Sequence, residues 1–380
     1  MGGALAPGSD GHGSSTACLG PGRPGLLQAS LPGMTSVSSR PVVRLTSPGD
    51  IVAAVPSLCG FLPSESLVVL SLRGPRRRLG LTVRVDLPAP DPSGSPGPPG
   101  PVRALLEALA ERVHADGATT SALVVFAAHR RPWLVQAYVE AAARCGTTVD
   151  EALHVADGRW SSYTCDAPCC PPDGSPVPGP PELLVAEVAL DGRAVLASRA
   201  DLVAALAAPA GPLGVRSTAR QQAAGERWLA ERQAVGVRAA RRSAVQRAAA
   251  LLDEVEQGRS PAEDAAAGLA VELHDVAVRD EVATWALDRP DGLLSLAEQV
   301  TRRTTPPSDA PVCTLLAWVA YTRGDGARAN VALDRALATD PDHPLALLLR
   351  RALDSGVTPG EVRRTLASAR RTLRSGWPGR

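Results

Sequence analysis

The feature that most constrains the fold is a change of hydrophobic rhythm along the chain. Up to Leu190 the apolar residues come in short, strand-length runs separated by helix-length segments, whereas from Ser198 onward nearly every stretch has a helical period. Alternating strands and helices make an α/β sheet with helices on its faces, and a purely helical remainder must bury its apolar stripes helix against helix. The sequence therefore predicts an α/β domain with a mixed sheet over residues 34–197, followed by an all-α domain over 198–375. At 380 residues the chain is long enough for two cores, and with aromatics at only 3% those cores must consist mainly of Ala, Val and Leu.

Local signals fill in the first half. Ser47-Pro48-Gly49-Asp50 supplies an N-cap, a proline at the first helical position and an acid at the third, which predicts a helix over 51–58. Two β-rich runs, 66–72 and 79–87, flank a Gly-Pro-Arg turn and read as a hairpin. Helices are expected over 102–115 and 132–145, strands over 122–127 and 149–155, and a last strand over 182–190. Residues 1–33 and 89–100 are rich in Gly, Pro and Ser and lack apolar periodicity, so both are expected to be disordered. The first is read as a leader, or as residues upstream of a true start at Met34.

Composition excludes several chemistries. All 40 basic side chains counted with lysine are arginines, so the chain has no P-loop lysine, no kinase strand lysine and no Schiff-base amine for pyridoxal phosphate. A formal net charge of +1 provides no broad basic field, which disfavours nucleic acid as a partner. No run reaches the roughly 18 apolar residues of a membrane-spanning helix. The first residues lack a secretory pattern, so a cytoplasmic location is expected. In that compartment the seven cysteines read first as core thiols, metal ligands or redox groups.

Chemically dense residues gather between 154 and 172. Asp157, Arg159, Trp160 and Tyr163 follow directly on the strand 149–155, where α/β folds collect their ligand groups. Arg159 can take a carboxylate or phosphate, and the two aromatics can stack on a planar ligand or plug the sheet edge. In the loop 160–172, Cys165, Cys169 and Cys170 can furnish three thiolates for zinc, with His154 or Cys145 as the fourth ligand. Their spacing departs from C-x-x-C, so a structural loop or a Cys165–Cys169 redox pair stands beside the zinc reading. His154 also reads as a hydrogen-bonded strand histidine.

Three stretches carry a family resemblance. Leu45-Thr46-Ser47-Pro48-Gly49-Asp50 with Gly60-Phe61 and Glu65 to Val69, Asp157 to Pro171, and Gly324-Asp325-Gly326-Ala327 resemble the bacterial family catalogued as domain of unknown function 4192. That resemblance spans most of the chain after Met34 and implies no activity, substrate or cofactor.

The helical half holds a long Ala/Arg/Gln run, 217–256, interrupted only by Gly225 and Gly236. Eight arginines between Arg216 and Arg247 read as a solvated face balanced by nearby acids. Further on, Leu315 to Ala320, Gly324-Asp325, Ala329, Leu333, Ala336-Leu337 and Asp340-Pro341 have the spacing of one tetratricopeptide-like helical hairpin. The function expected is that of a binding or regulatory protein whose helical domain meets a protein partner. The alternatives are a small-molecule enzyme using the 157–170 loop and a thiol-redox or zinc sensor.

Overall fold

The structure is a computed structural model that describes residues 27–29, 43–88, 100–165, 167–168, 170–190 and 192–376. These residues divide into two compact units. The first holds 27–29, 44–53 and 65–179, and the second holds 43, 54–64 and 180–376. Among the described residues no helix is long and apolar enough to cross a membrane.

The first unit is built on a mixed sheet. Its strands are β1 (Leu27–Ala29), β2 (Val43–Leu45), β3 (Ser66–Arg73), β4 (Arg78–Asp86), β5 (Ala118–Phe126), β6 (Thr148–Ala156), β7 (Arg159–Ser162) and β8 (Ser175–Pro176), in the spatial order β2-β1-β4-β3-β5-β6-β7-β8. β3 lies antiparallel to both β4 and β5, while β5 and β6 run parallel and are joined by α3 (Pro132–Arg144). Parallel neighbours require such a crossover, because a tight turn can only reverse the chain. Helix α1 (Pro48–Cys59) begins at the predicted box, with Asp50 N donating to Ser47 Oγ at 3.1 Å and Ser47 N to Asp50 Oδ2 at 3.0 Å. α2 (Gly100–Ala115) starts two residues before the expected Val102, since a proline fits the first turn without losing a hydrogen bond.

Leu67, Val69, Leu123 and Val125 share a core with α2 and α3. The intervening Val68, Leu70 and Val124 are buried as well, so the central strands are covered on both faces. Within the segment 1–33, expected to carry no fold, Leu27–Ala29 forms a short strand parallel to β4. The rest of that segment, and 89–99, lie outside the described residues.

The second unit is helical. It contains α4 (Glu182–Leu190), α5 (Arg199–Ala205), α6 (Gly211–Val235), α7 (Val237–Glu256), α8 (Glu263–Glu272), α9 (Val276–Thr284), α10 (Pro290–Thr301), α11 (Asp309–Thr322), α12 (Gly326–Thr339), α13 (Pro344–Asp354) and α14 (Pro359–Gly376). The segment 182–190, expected as a strand, is α4. Its two buried residues, Leu184 and Val188, lie one turn apart on one side of a helix. Gly236, at φ +81°, separates α6 from α7, while Gly225 sits inside α6 without breaking it. α11 and α12 pack closely across the turn at Gly324 (φ +83°), and every residue of α11 is buried. Phe61 belongs to this core, and Leu62 N donates to the Leu196 carbonyl at 3.0 Å.

Candidate functional site

The sequence places its chemistry in 154–172, and the structure separates those residues. Ala156 pairs with Arg159, so Asp157 and Gly158 alone make the β6–β7 turn. Both have positive φ, +49° and +71°, as a type I′ hairpin turn demands, and Asp-Gly is a favoured pair there. Asp157 is thus the exposed apex of a hairpin. Arg159 turns to the next chain segment, donating from Nε to the Asp173 carbonyl at 2.7 Å and from Nη2 to the Gly174 carbonyl at 2.6 Å. Trp160 pairs with Ser175 on β8, and its indole lies against α1, where a β-carbon at Gly49 would stand 3.1 Å from Nε1. Residues 160–162, expected as the start of the loop 160–172, belong to strand β7. Asp157, Arg159 and Trp160 together finish the edge of the sheet.

Tyr163 and His154 do come together, around two residues the sequence reading missed. His154 is buried on β6, with Nε2 2.9 Å from the Ala127 carbonyl, which places the hydrogen on that nitrogen. Tyr163 meets the imidazole edge-on at 6.0 Å between ring centres. Its hydroxyl accepts from Arg131 N at 2.9 Å, and the Arg130 guanidinium lies 4.4 Å from its ring centre. Arg130 also donates to Ser161 Oγ at 2.6 Å and to the Ser162 carbonyl at 2.7 Å. Arg131 reaches Glu65 Oε2 at 3.3 Å, and Glu65 Oε1 accepts from Ala128 N at 3.1 Å.

Burial sets the protonation of this cluster. It lowers the His154 pKa, with Arg130 and His129 pushing the same way, and it raises that of Tyr163 against the opposing pull of Arg131 and Arg130. Both rings are held neutral at the carboxyl ends of β5 and β6, with His154 Nε2 and the Tyr163 hydroxyl engaged by backbone groups. The sequence signal for Arg130 and Arg131 was their position immediately before the N1 proline of a helix that follows a buried strand.

Cys165 and Cys170 are half-buried, Cys145 caps the end of α3, and Cys169 lies outside the described residues. Among the described residues, no three His, Cys, Asp or Glu side chains gather as a metal site.

The second unit contains an open groove of about 660 Å³. One side is a single face of α6 running from Thr218 through Gln222, Gly225 and Trp228 to Arg232. These positions recur at helical spacing and so form one continuous stripe. Val271, His274, Asp275, Val276, Arg241 and the Pro306-Pro307-Ser308 turn line the rest. Trp228 is 9% exposed at the floor, with the Arg232 guanidinium 5.8 Å from its ring. Arg241 grips both oxygens of Asp275 at 2.9 Å, and Asp275 in turn caps α9 by accepting from Ala277 N at 3.0 Å. Val276, at 57% exposed, forms an apolar rim. A mixed Gln, Arg and Gly stripe reads in sequence as a solvated face, which is why the groove went unseen.

No curated protein and no solved structure matches the chain. One family model, described as a domain of unknown function (DUF4192), matches residues 48–360. The matched span takes in the sheet from α1 onward, the β6–β7 hairpin and the helices as far as the start of α14, and the chain belongs to the DUF4192 family.

Proposed function

We propose that this is a binding protein whose helical unit receives a partner polypeptide in the groove along α6. The observation that carries the reading is the groove itself: an apolar floor at Trp228, an exposed apolar rim at Val276 and polar side chains spaced along one helix face. Such a surface resembles the helix-face grooves through which helical proteins bind polypeptide segments. α11, the first helix of the expected tetratricopeptide-like hairpin, is wholly buried, and the proposal therefore sets the partner-facing surface on α6.

The enzyme alternative requires Asp157, Arg159 and Tyr163 to converge on a substrate. Asp157 caps a hairpin, Arg159 is held by two carbonyls and Tyr163 lies in the Arg130–Arg131 cluster. The geometry therefore favours binding over catalysis.

Selection of a random displayed-peptide library on the full chain tests the proposal. Enriched peptides should lose binding to Gly225→Leu, which fills the groove, while the variant keeps its thermal stability. No enrichment, or binding indifferent to Gly225→Leu, overturns it.

A further inference from the structure

We infer that the segment received by the α6 groove is acidic and carries bulky apolar side chains. The inference rests on the binding reading above and specifies the partner's chemistry.

Length comes first. From Thr218 to Arg232 the stripe spans 15 residues of α6, 14 steps of 1.5 Å or about 21 Å. A compact metabolite cannot occupy a trough of that length end to end. A helical segment of similar length can, and so can an extended segment of about six residues at roughly 3.3 Å each.

Charge comes second. Around these helices the chain pairs several of its arginines with its own carboxylates: Arg220 with Asp264 at 3.3 Å, Arg241 with Asp275 at 2.9 Å, and Arg247 with Glu231 and Glu272 at 2.9 and 2.6 Å. Among the described residues Arg232 and Arg238 meet no carboxylate. Arg232 lies at one end of the groove, and Arg238 is one helical turn before the groove-lining Arg241. This uncompensated positive edge calls for carboxylates on the occupant.

Gly225 is the third and independent observation. A glycine inside a helix is unfavourable relative to alanine, and it is kept where something must come close. Beyond the neighbouring backbone of its own helix, a β-carbon at Gly225 would meet no atom within 4 Å, so packing does not require the glycine. Its effect is to deepen the groove between Gln222 and Trp228. Leu229, one turn on and 57% exposed, extends the apolar strip that a bulky side chain would cover. That apolar floor also separates an acidic peptide from a nucleic acid, whose backbone seeks charge and finds a net of only +1 on this chain.

The test is fluorescence polarisation with the full chain and three labelled probes. Two are 15-residue peptides with identical Leu and Phe positions at helical spacing, one filled with Glu and the other with Lys; the third is a single-stranded DNA oligonucleotide. The Glu peptide should bind and weaken as salt is raised. Gly225→Leu should abolish its binding, and Arg232→Glu with Arg238→Glu should weaken it about tenfold at unchanged melting temperature. Equal or tighter binding of the Lys peptide or of DNA, survival of binding in Gly225→Leu, or no binding by any probe overturns the inference. So does self-association of the chain that Gly225→Leu removes, which would assign the groove to a second copy. Library selection of neutral or basic peptides that still depend on Gly225 would sink the acidic partner and leave the peptide groove standing.

Discussion

Arg335 on α12 binds Asp309 at the start of α11 across 3.0 Å, and the carboxylate is only 1% exposed. The same guanidinium donates to the carbonyls of Leu206 at 2.6 Å, Thr301 at 3.0 Å and Thr304 at 2.5 Å. It therefore collects the loose ends of α5 and α10, whose last carbonyls have no partner within their own helices.

Removing this arginine should be among the most damaging changes in the helical unit. Arg335→Ala leaves a buried carboxylate and three carbonyls without a cation, an expected loss of about 3–5 kcal/mol. Arg335→Lys should recover only a minor part, because an ammonium cannot reproduce the planar fork. Urea unfolding measures both, and a loss below about 1 kcal/mol for the alanine variant would contradict the role.

Acid should weaken the fold through two buried histidines. His154 and His343 both have their pKa lowered from 6.5, mainly by burial, and His343 Nδ1 must stay unprotonated to accept from Ala346 N at 3.3 Å and cap α13. The unfolded chain binds these protons at the ordinary value while the folded chain resists them, so stability falls as pH drops below about 6.5 and is unaffected by them above it. Melting temperatures at about pH 7.5 and about pH 5.5 should differ less for His154→Gln with His343→Asn than for the wild type, since both replacements keep a hydrogen bond without titrating.

Arg159→Ala should loosen the turn around Asp173 and Gly174 without touching the α6 groove. The expected cost is about 1 kcal/mol for the two carbonyl bonds. Hydrogen exchange should speed up within 171–177, and peptide capture should be unchanged. Loss of capture in this variant would return the function to the sheet edge.

Gly225→Ala should raise stability by up to about 1 kcal/mol, because the glycine is helical and its β-carbon position is open. A destabilised alanine variant, seen by calorimetry, would mean that the position is crowded after all.

Much of the architecture was legible because local and tertiary demands agree. Ser47 and Asp50 form the reciprocal bonds their spacing predicts, Ser198 caps α5 by accepting from Asp201 N at 3.2 Å, and Leu67 to Leu72 read as a buried strand. The failure at 182–190 has a local cause. Leu184 and Val188 mark a helical period, but Leu183 and Val185, at 49% and 47% exposed, hide it by making the run look continuously apolar. The site was less legible because closeness in sequence is not convergence in space. Asp157, Arg159 and Trp160 are near neighbours whose side chains serve a turn, a carbonyl pair and a helix contact. Arg130 and Tyr163 lie 33 positions apart and meet only because β6 pairs with β5 and then turns back as β7.

α11 has no outside: all fourteen of its residues are buried, against α10, α12 and α14 among others. On a ribosome the chain appears from its N-terminus, so α11 is synthesised before α12, α13 and α14, the three later helices that cover it. Until those helices emerge, α11 has only α8, α9 and α10 to pack against, and the rest of its apolar surface stays open in a partly made protein. The nascent helical unit therefore keeps part of an apolar helix uncovered until α14 has emerged, and this unit can close only once its last covering helix is out.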